Sequence, residues 1–260
     1  MKKIIMTTLL LIVGLGAWAS YIITYPNSAH RASAQAAATT PTSTPIKDET
    51  KPIPPAVKAS VFSQGSDAVN EIALTFDDGP SAGYTAQVLD ILQKYGVKAT
   101  FFCIGQQVQA TPDLVNQELQ NGNVVGNHTW SHPDLTTLSA QDIYTQLHMT
   151  SDAIKSATGT SPILFRPPYG AINDTVKQQA NALHMTPVLW SIDTEDWQMP
   201  GVDAIVNTAL NNAGNGSIIL MHDGGGDRSQ TIAALPRIIT GLQQRGFKLV
   251  TVPELMADAN

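Results

Sequence analysis

The chain has 260 residues, 14% of them charged, a single cysteine and a net charge of −6. That length buries a sizeable core without staples, and a lone Cys103 excludes a disulfide framework and any Cys₄ or Cys₂His₂ zinc site. Residues 1–60 hold six Lys/Arg against two acids and residues 61–260 nine against nineteen, so the bulk of the chain is acidic and nucleic acid is not an expected partner.

Lys2 and Lys3 precede an apolar run from Ile4 to Ile23, the arrangement that inserts with its basic end in the cytoplasm. Ala17, Trp18 and Ala19 form an A-x-A site, so residues 1–25 read either as a cleaved signal peptide or as a retained anchor. Residues 26–65 are rich in Ala, Thr, Ser and Pro, with little to bury, and read as an extended linker. Both readings place residues 66–260 outside the cytoplasm, secreted or held at the membrane by the N-terminal segment.

From there short β-rich runs alternate with helical patterns. Strands are expected at Ile72–Phe76, Ala99–Ile104, Asn123–Gly126, Ile163–Phe165, Met185–Ile192, Ser217–Met221 and Phe247–Val252. Val88, Leu89, Ile91, Leu92 and Tyr95 recur at helical spacing before Gly96, and further helices are expected near 111–121, 139–157, 173–183, 203–213 and 230–245. Ser139 with Asp142 opens one of them as a capping box. This alternation predicts an α/β fold with about seven parallel strands, a distorted (β/α) barrel in preference to an open doubly wound sheet.

The ionisable residues keep one phase. Asp77 and Asp78 end the first strand, His128 and His132 follow the third, Arg166 ends the fourth, Asp193 and Asp196 follow the fifth, and His222 with Asp223 ends the sixth. In a parallel barrel these C-terminal strand ends form one face, where distant residues converge in a cleft.

His128 and His132, four apart, are expected on one side of a helical turn, which would present both imidazoles to one metal ion. A carboxylate pair after the apolar run Ile72–Phe76 needs a metal or an arginine to offset its burial. Two imidazoles and one carboxylate leave coordination positions open, so the site is catalytic. The set suits hydrolytic Zn²⁺, with Co²⁺ or another divalent ion as alternatives, and it also describes Fe(II) oxygenases, for which no cosubstrate site is found. His30, His148 and His184 read as solvated or packed, Cys103 as a small buried strand-end residue, and Gly224–Gly226 as a flexible loop.

The segments TFDDGPS (75–81), HTWSHP (128–133), RPPYG (166–170), DTEDW (193–197) and ILMHD (219–223) resemble, in order and spacing, the polysaccharide deacetylases, the NodB-homology group of carbohydrate esterase family four. The resemblance runs from about Glu71 to Leu255 and implies metal-dependent removal of acetyl groups from sugars. By resemblance, Asp78, His128 and His132 are the metal ligands, Asp77 the general base and Arg166 the residue that orients it. The Tyr169 backbone N–H resembles the oxyanion donor, Asp196 and His222 a carboxylate with the acid it supports, and Trp197 and Leu220 the walls of the acetyl pocket.

The chemistry of these residue types agrees with those roles. A guanidinium at Arg166 would hold Asp77 as a carboxylate and fix its rotamer, and His222 beside Asp196 would deliver a proton to a leaving amine near neutral pH. After Pro167 and Pro168, which carry no N–H, Tyr169 is the next free donor. Export points to cell-wall peptidoglycan as the acetylated partner, ahead of chitin oligomers, exopolysaccharide or acetyl xylan. A non-catalytic glycan-binding module is the alternative of another class, and a monomer is expected.

Overall fold

The computed structural model describes residues 60–259, so the leader and most of the linker lie outside the described residues. Its chain order is β1 (Glu71–Asp77), α1 (Thr85–Lys94), β2 (Thr100–Cys103), α2 (Gly105–Ala110), α3 (Pro112–Gln120), β3 (Val124–Asn127) and α4 (Ala140–Thr158). There follow β4 (Leu164–Phe165), α5 (Asp174–Ala182), β5 (Thr186–Pro187), β6 (Ile192–Asp193), α6 (Val202–Asn212), β7 (Ile218–His222), α7 (Ser229–Gln244), β8 (Lys248–Val250) and α8 (Val252–Ala257).

All seven residues of β1 are buried, as a central parallel strand with both faces covered requires. Side chains alternate between those faces. Ile72, Leu74 and Phe76 join Phe101 and Cys103 of β2 and Ile219 and Met221 of β7 in the large core under the helices. Ala73, Phe102 and Ile218 point the other way and pack with Leu164, Val188, Val250, Val252 and Leu255. Thr75, Asp77, Leu220 and His222 share the parity of this second set, so the strand period itself aims the last polar residues of β1 and β7 into the barrel.

The strands form one sheet in the order β5-β4-β3-β2-β1-β7-β6, with β8 also on β1, and every pairing is parallel. Ala73 pairs with both Ile218 and Val250, and Thr75 with both Leu220 and Thr100. β8 and β2 therefore share one edge of β1, and β7 takes the other. β5 and β6 belong to one stretch, which begins paired with β4 and ends paired with β7, so the two ends of the sheet meet on a single run of chain. With that run counted once there are seven strands in a distorted barrel, as expected.

The single strand expected over Met185–Ile192 is nevertheless two short ladders. Between them the backbone bonds elsewhere: Phe62 N–H donates to Pro187 O at 2.9 Å and Phe62 O accepts from Leu189 N–H at 2.8 Å. The carbonyls of Val188 and Leu189 accept from the Arg166 guanidinium at 3.4 and 3.1 Å. Phe62, and Gly65 through a bond to Gly216 O, are thus tied to the barrel although composition groups them with the linker. The sequence pattern also omits α2 and α8, each only six residues long. Ser139 caps α4, its Oγ accepting from Asp142 N–H, but the expected capping box is only half made, since Asp142 Oδ2 accepts from the Ser139 hydroxyl and not from its backbone N–H.

Candidate active site

The ionisable residues that end β1, β3, β4, β6 and β7 meet at the C-terminal face. Their loops are tightly turned. Six of the seven non-glycine residues at positive φ among the described residues lie there: Asp78 (72°), Thr129 (69°), His132 (59°), Tyr169 (59°), Glu195 (53°) and Met199 (56°). Left-handed backbone at such residues costs of order 1 kcal/mol each and persists where the surroundings enforce it.

One half of the site is built on Asp78, His128 and His132. Their ligand atoms all lie within 4.8 Å of one another, with the Nε2 atoms of His128 and His132 at 3.5 and 3.4 Å from Asp78 Oδ1. His128 Nδ1 is 2.8 Å from the carbonyl oxygen of Arg166. A carbonyl only accepts, so Nδ1 carries a hydrogen, and Nε2 is the nitrogen that faces Asp78. The two histidines do not sit on a helical turn, contrary to expectation. Residues 128–132 form a loop, folded by Asn127 Oδ1 accepting from Thr129 N–H at 2.8 Å and Thr129 Oγ1 accepting from His132 N–H at 3.0 Å, with the imidazole centroids 4.9 Å apart.

Electrostatics mark the same place as a cation site. Burial raises the Asp78 carboxyl, but His128, His222 and His132 together outweigh it and hold the group well below the usual carboxylate range. Burial, then the charge of His128, lowers His132, which leaves it a neutral donor. Burial also opposes a charge on His128, yet Asp77 and Asp78 outweigh it and raise this histidine. Asp78 Oδ1 is buried and has no hydrogen-bond partner among the described residues. A carboxylate oxygen without a hydrogen-bond partner, facing two imidazole nitrogens, fits a divalent ion held by one oxygen and two nitrogens.

Asp77 sits beside this cluster on a separate support. Arg166 is fully buried and donates from Nη1 to Asp77 Oδ1 and to Thr75 Oγ1, each at 2.8 Å. Its guanidinium lies 4.2 Å from the Phe102 ring centroid and 5.6 Å from that of Trp190. With the carbonyls of Val188 and Leu189 also accepting, Arg166 is fixed on all sides and carries the offsetting charge that the buried Asp77 requires.

The other half is the end of β7. His222 Nδ1 lies 2.7 Å from Asp196 Oδ1, and Asp196 Oδ2 accepts from His222 N–H at 2.9 Å and from Thr231 Oγ1–H at 2.6 Å. Asp196 is fully buried; burial would raise it, but the bond to His222 keeps it lowered. Burial likewise works against a charged His222, and Asp196 outweighs it, so this imidazole sits above the ordinary histidine value. Its remaining nitrogen, Nε2, is free to carry the exchangeable proton.

Tyr169 and Trp197 are the exposed aromatics of these loops, 69% and 52% accessible, and Leu220 is buried on the inward face of β7. The Tyr169 ring packs edge-on against His132 at 4.7 Å. Asp193 shapes the turn, its Oδ1 accepting from Glu195 N–H at 2.8 Å. His148 pairs with Asp152 on α4, His184 follows α5, and Cys103 is buried at the end of β2, in line with their readings.

Sequence reasoning missed several supports. Thr75 and Phe102 could have been found from strand parity, since both share the inward phase of Asp77. Thr231 and Trp190 carry no such signal, because α7 and the interrupted closing stretch bring them in. Gly224–Gly226 is corrected most. A Cβ at Gly224 would lie 2.1 Å from Asp78 O and one at Gly225 2.4 Å from Asp78 Oδ2. Gly224 and Gly225 are therefore fitted against Asp78, and only Gly226 has room beside it.

Comparison with known proteins agrees with this geometry. The polysaccharide deacetylase family profile matches residues 64–188. A peptidoglycan-N-acetylglucosamine deacetylase of Bacillus cereus is 46% identical over 187 residues, 71% of this chain and 87% of that one. A chitooligosaccharide deacetylase of Rhizobium leguminosarum bv. trifolii is 42% identical over 201 residues, 73% of this chain and 93% of that one. The crystal structure of the Bc1960 peptidoglycan N-acetylglucosamine deacetylase superposes with a TM-score of 0.74 at 36% identity, covering 76% of this chain and 92% of that one. A chain that shares this fold, these relatives and a cation site at its strand ends belongs to the polysaccharide deacetylase family of carbohydrate-active hydrolases.

Proposed function

We propose that the protein removes the acetyl group from N-acetylglucosamine residues of peptidoglycan at the cell surface, with Zn²⁺ held by Asp78, His128 and His132. The observation that carries the reading is the pairing of Asp77 and His222, register partners on β1 and β7, with separate buried supports, Arg166 and Asp196, beside the cluster of Asp78, His128 and His132. That gives a base and an acid whose environments differ, which amide hydrolysis needs.

When bound, the ion supplies Lewis acidity toward the acetyl carbonyl and the attacking water. Asp77, held in place by the Arg166 guanidinium, takes a proton from that water. The Tyr169 backbone N–H donates to the oxygen that gains charge, a contribution worth about 3–4 kcal/mol for a preorganised donor. His222, charged by virtue of Asp196, protonates the departing amine nitrogen from Nε2, and the acyl carbon–nitrogen bond breaks to leave acetate and a free amino sugar. Trp197 and Leu220 form the walls that receive the acetyl methyl group.

Peptidoglycan is supported by the Bacillus cereus relative, and chitin oligomers by the Rhizobium one. The leader supports the wall: Lys2 and Lys3 before the apolar run Ile4–Ile23 are the pattern of an exported chain, with the domain outside, secreted or anchored. No helix among the described residues is long and apolar enough to cross a membrane, and the leader lies outside them. The test is to incubate the Zn²⁺- or Co²⁺-loaded protein with intact wall, chitin oligomers, an acetylated exopolysaccharide and acetyl xylan, and to measure acetate against free amine. Amine released from wall with the highest kcat/KM is expected. Acetate without amine, or a preference for chitin oligomers, would contradict the assignment.

A further inference from the structure

β7 continues into Asp223, a fully buried acid that the chemistry above does not use. Its Oδ2 accepts from the Thr85 hydroxyl at the start of α1. Thr85 Oγ1 in turn accepts from Ser81 N–H at 2.7 Å, and Asp223 N–H donates to Asp77 O at 3.1 Å. The carboxyl reaches this place because residue 79 has no side chain: a Cβ there would lie 2.3 and 2.4 Å from its two oxygens. Just beyond, the nearly buried Arg228 donates from Nε to Gly224 O at 2.6 Å, at the glycine whose Cβ would lie 2.1 Å from Asp78 O. The turn from Asp78 to Thr85 is therefore clamped to the end of β7 by Asp223, whose backbone N–H bonds to Asp77 just before the turn and whose carboxyl accepts from Thr85 at its end.

Asp223 Oδ1 is buried and without a hydrogen-bond partner among the described residues, and so is Glu118 Oε1, whose other oxygen accepts from Cys103 Sγ at 3.3 Å. Burial pushes both carboxyls up; Asp78 and Asp77 add to the effect at Asp223, and Asp223 itself at Glu118. These acids do not make a second cation site, since Asp78, His128 and His132 are the one group among the described residues with three ligand atoms in range.

We propose that Asp223 is a positioning residue for the metal-ligating turn, holding Asp78 in place as a hydrogen-bond acceptor for Thr85. The proposal rests on the metal-site reading of Asp78, His128 and His132. It is tested on the whole 260-residue chain with Co²⁺ as probe, by affinity, ligand-field spectrum and melting of the metal-free form, in D223A, D223N, T85V and H132A. D223A and T85V are expected to weaken Co²⁺ binding about 10- to 100-fold and to alter the spectrum, whereas D223N, whose amide oxygen still accepts from Thr85, falls well short of that loss. D223N as weak as D223A would show that charge is what matters and overturn the proposal. So would wild-type affinity and spectrum in D223A or T85V, even with a lowered melting temperature, because that pattern is purely structural. If D223A does not fold, T85V decides by the same two readouts. Wild-type Co²⁺ affinity in H132A would instead bring down the metal-site reading, a separate failure.

Discussion

Two buried carboxylates in this barrel each hold a cationic partner at nearly the same distance: Asp77 with Arg166 at 2.8 Å and Asp196 with His222 at 2.7 Å. The difference lies in the cation. A guanidinium keeps its proton at any working pH, so the first pair is a fixed support that leaves Asp77 as the group able to accept a proton. An imidazole exchanges its proton near neutrality, so in the second pair the carboxylate is the support and His222 the group that gives. On the proposed mechanism the same geometry would serve opposite ends of one hydrolysis: Asp77 and His222 are register partners on β1 and β7, and the barrel supports them from different elements, Arg166 at the end of β4 and Asp196 after β6.

The comparison can be broken most severely at the fixed pair. Arg166→Leu leaves Asp77 buried without a cation and should cost about 3–5 kcal/mol of stability, read as a lower denaturation midpoint. Asp196→Asn should cost much less, since His222 can release its proton. Equal losses would erase the distinction between a fixed and a titrating partner.

His222→Ala tests the titrating pair by substrate. It should reduce turnover of an acetylated amino sugar by at least about 10² while sparing an aryl acetate, whose phenolate leaves without a proton. Equal losses on both would mean that His222 steadies the oxyanion or the sugar.

A finer test is pH. Asp196 holds the imidazole of His222 above its ordinary value, so Asp196→Asn should lower it, the acidic form should disappear sooner as pH rises, and the alkaline limb of kcat should move to lower pH. An unmoved limb would assign that limb to another group. The smallest effect is expected from Thr231→Val, which removes one donor from Asp196: about 1 kcal/mol in stability, and less than about tenfold in turnover.

Much of this was legible because strand parity and strand ends are properties of the sequence. Asp77, Asp78, Arg166 and His222 fall at the ends of apolar β-rich runs, and a parallel barrel gathers such ends on one face. What escaped depends on contacts that no local pattern encodes. The H-x-x-x-H spacing suggested a helix, but hydrogen bonds from Asn127 and Thr129 fold it as a loop. Met185–Ile192 looked like one strand until Phe62 and Arg166 took its central backbone groups. Gly224–Gly226 looked loose because the sequence does not show that Asp78 lies against it.

The central claim is that the adjacent acids divide the work, Asp78 as ligand and Asp77 as base. Metal content and turnover measured side by side in Asp77→Asn and Asp78→Asn test it most directly. The account predicts near-full Zn²⁺ with turnover reduced at least about 10² in the first variant, and loss of both metal and turnover in the second. Metal lost from Asp77→Asn and retained by Asp78→Asn would contradict it.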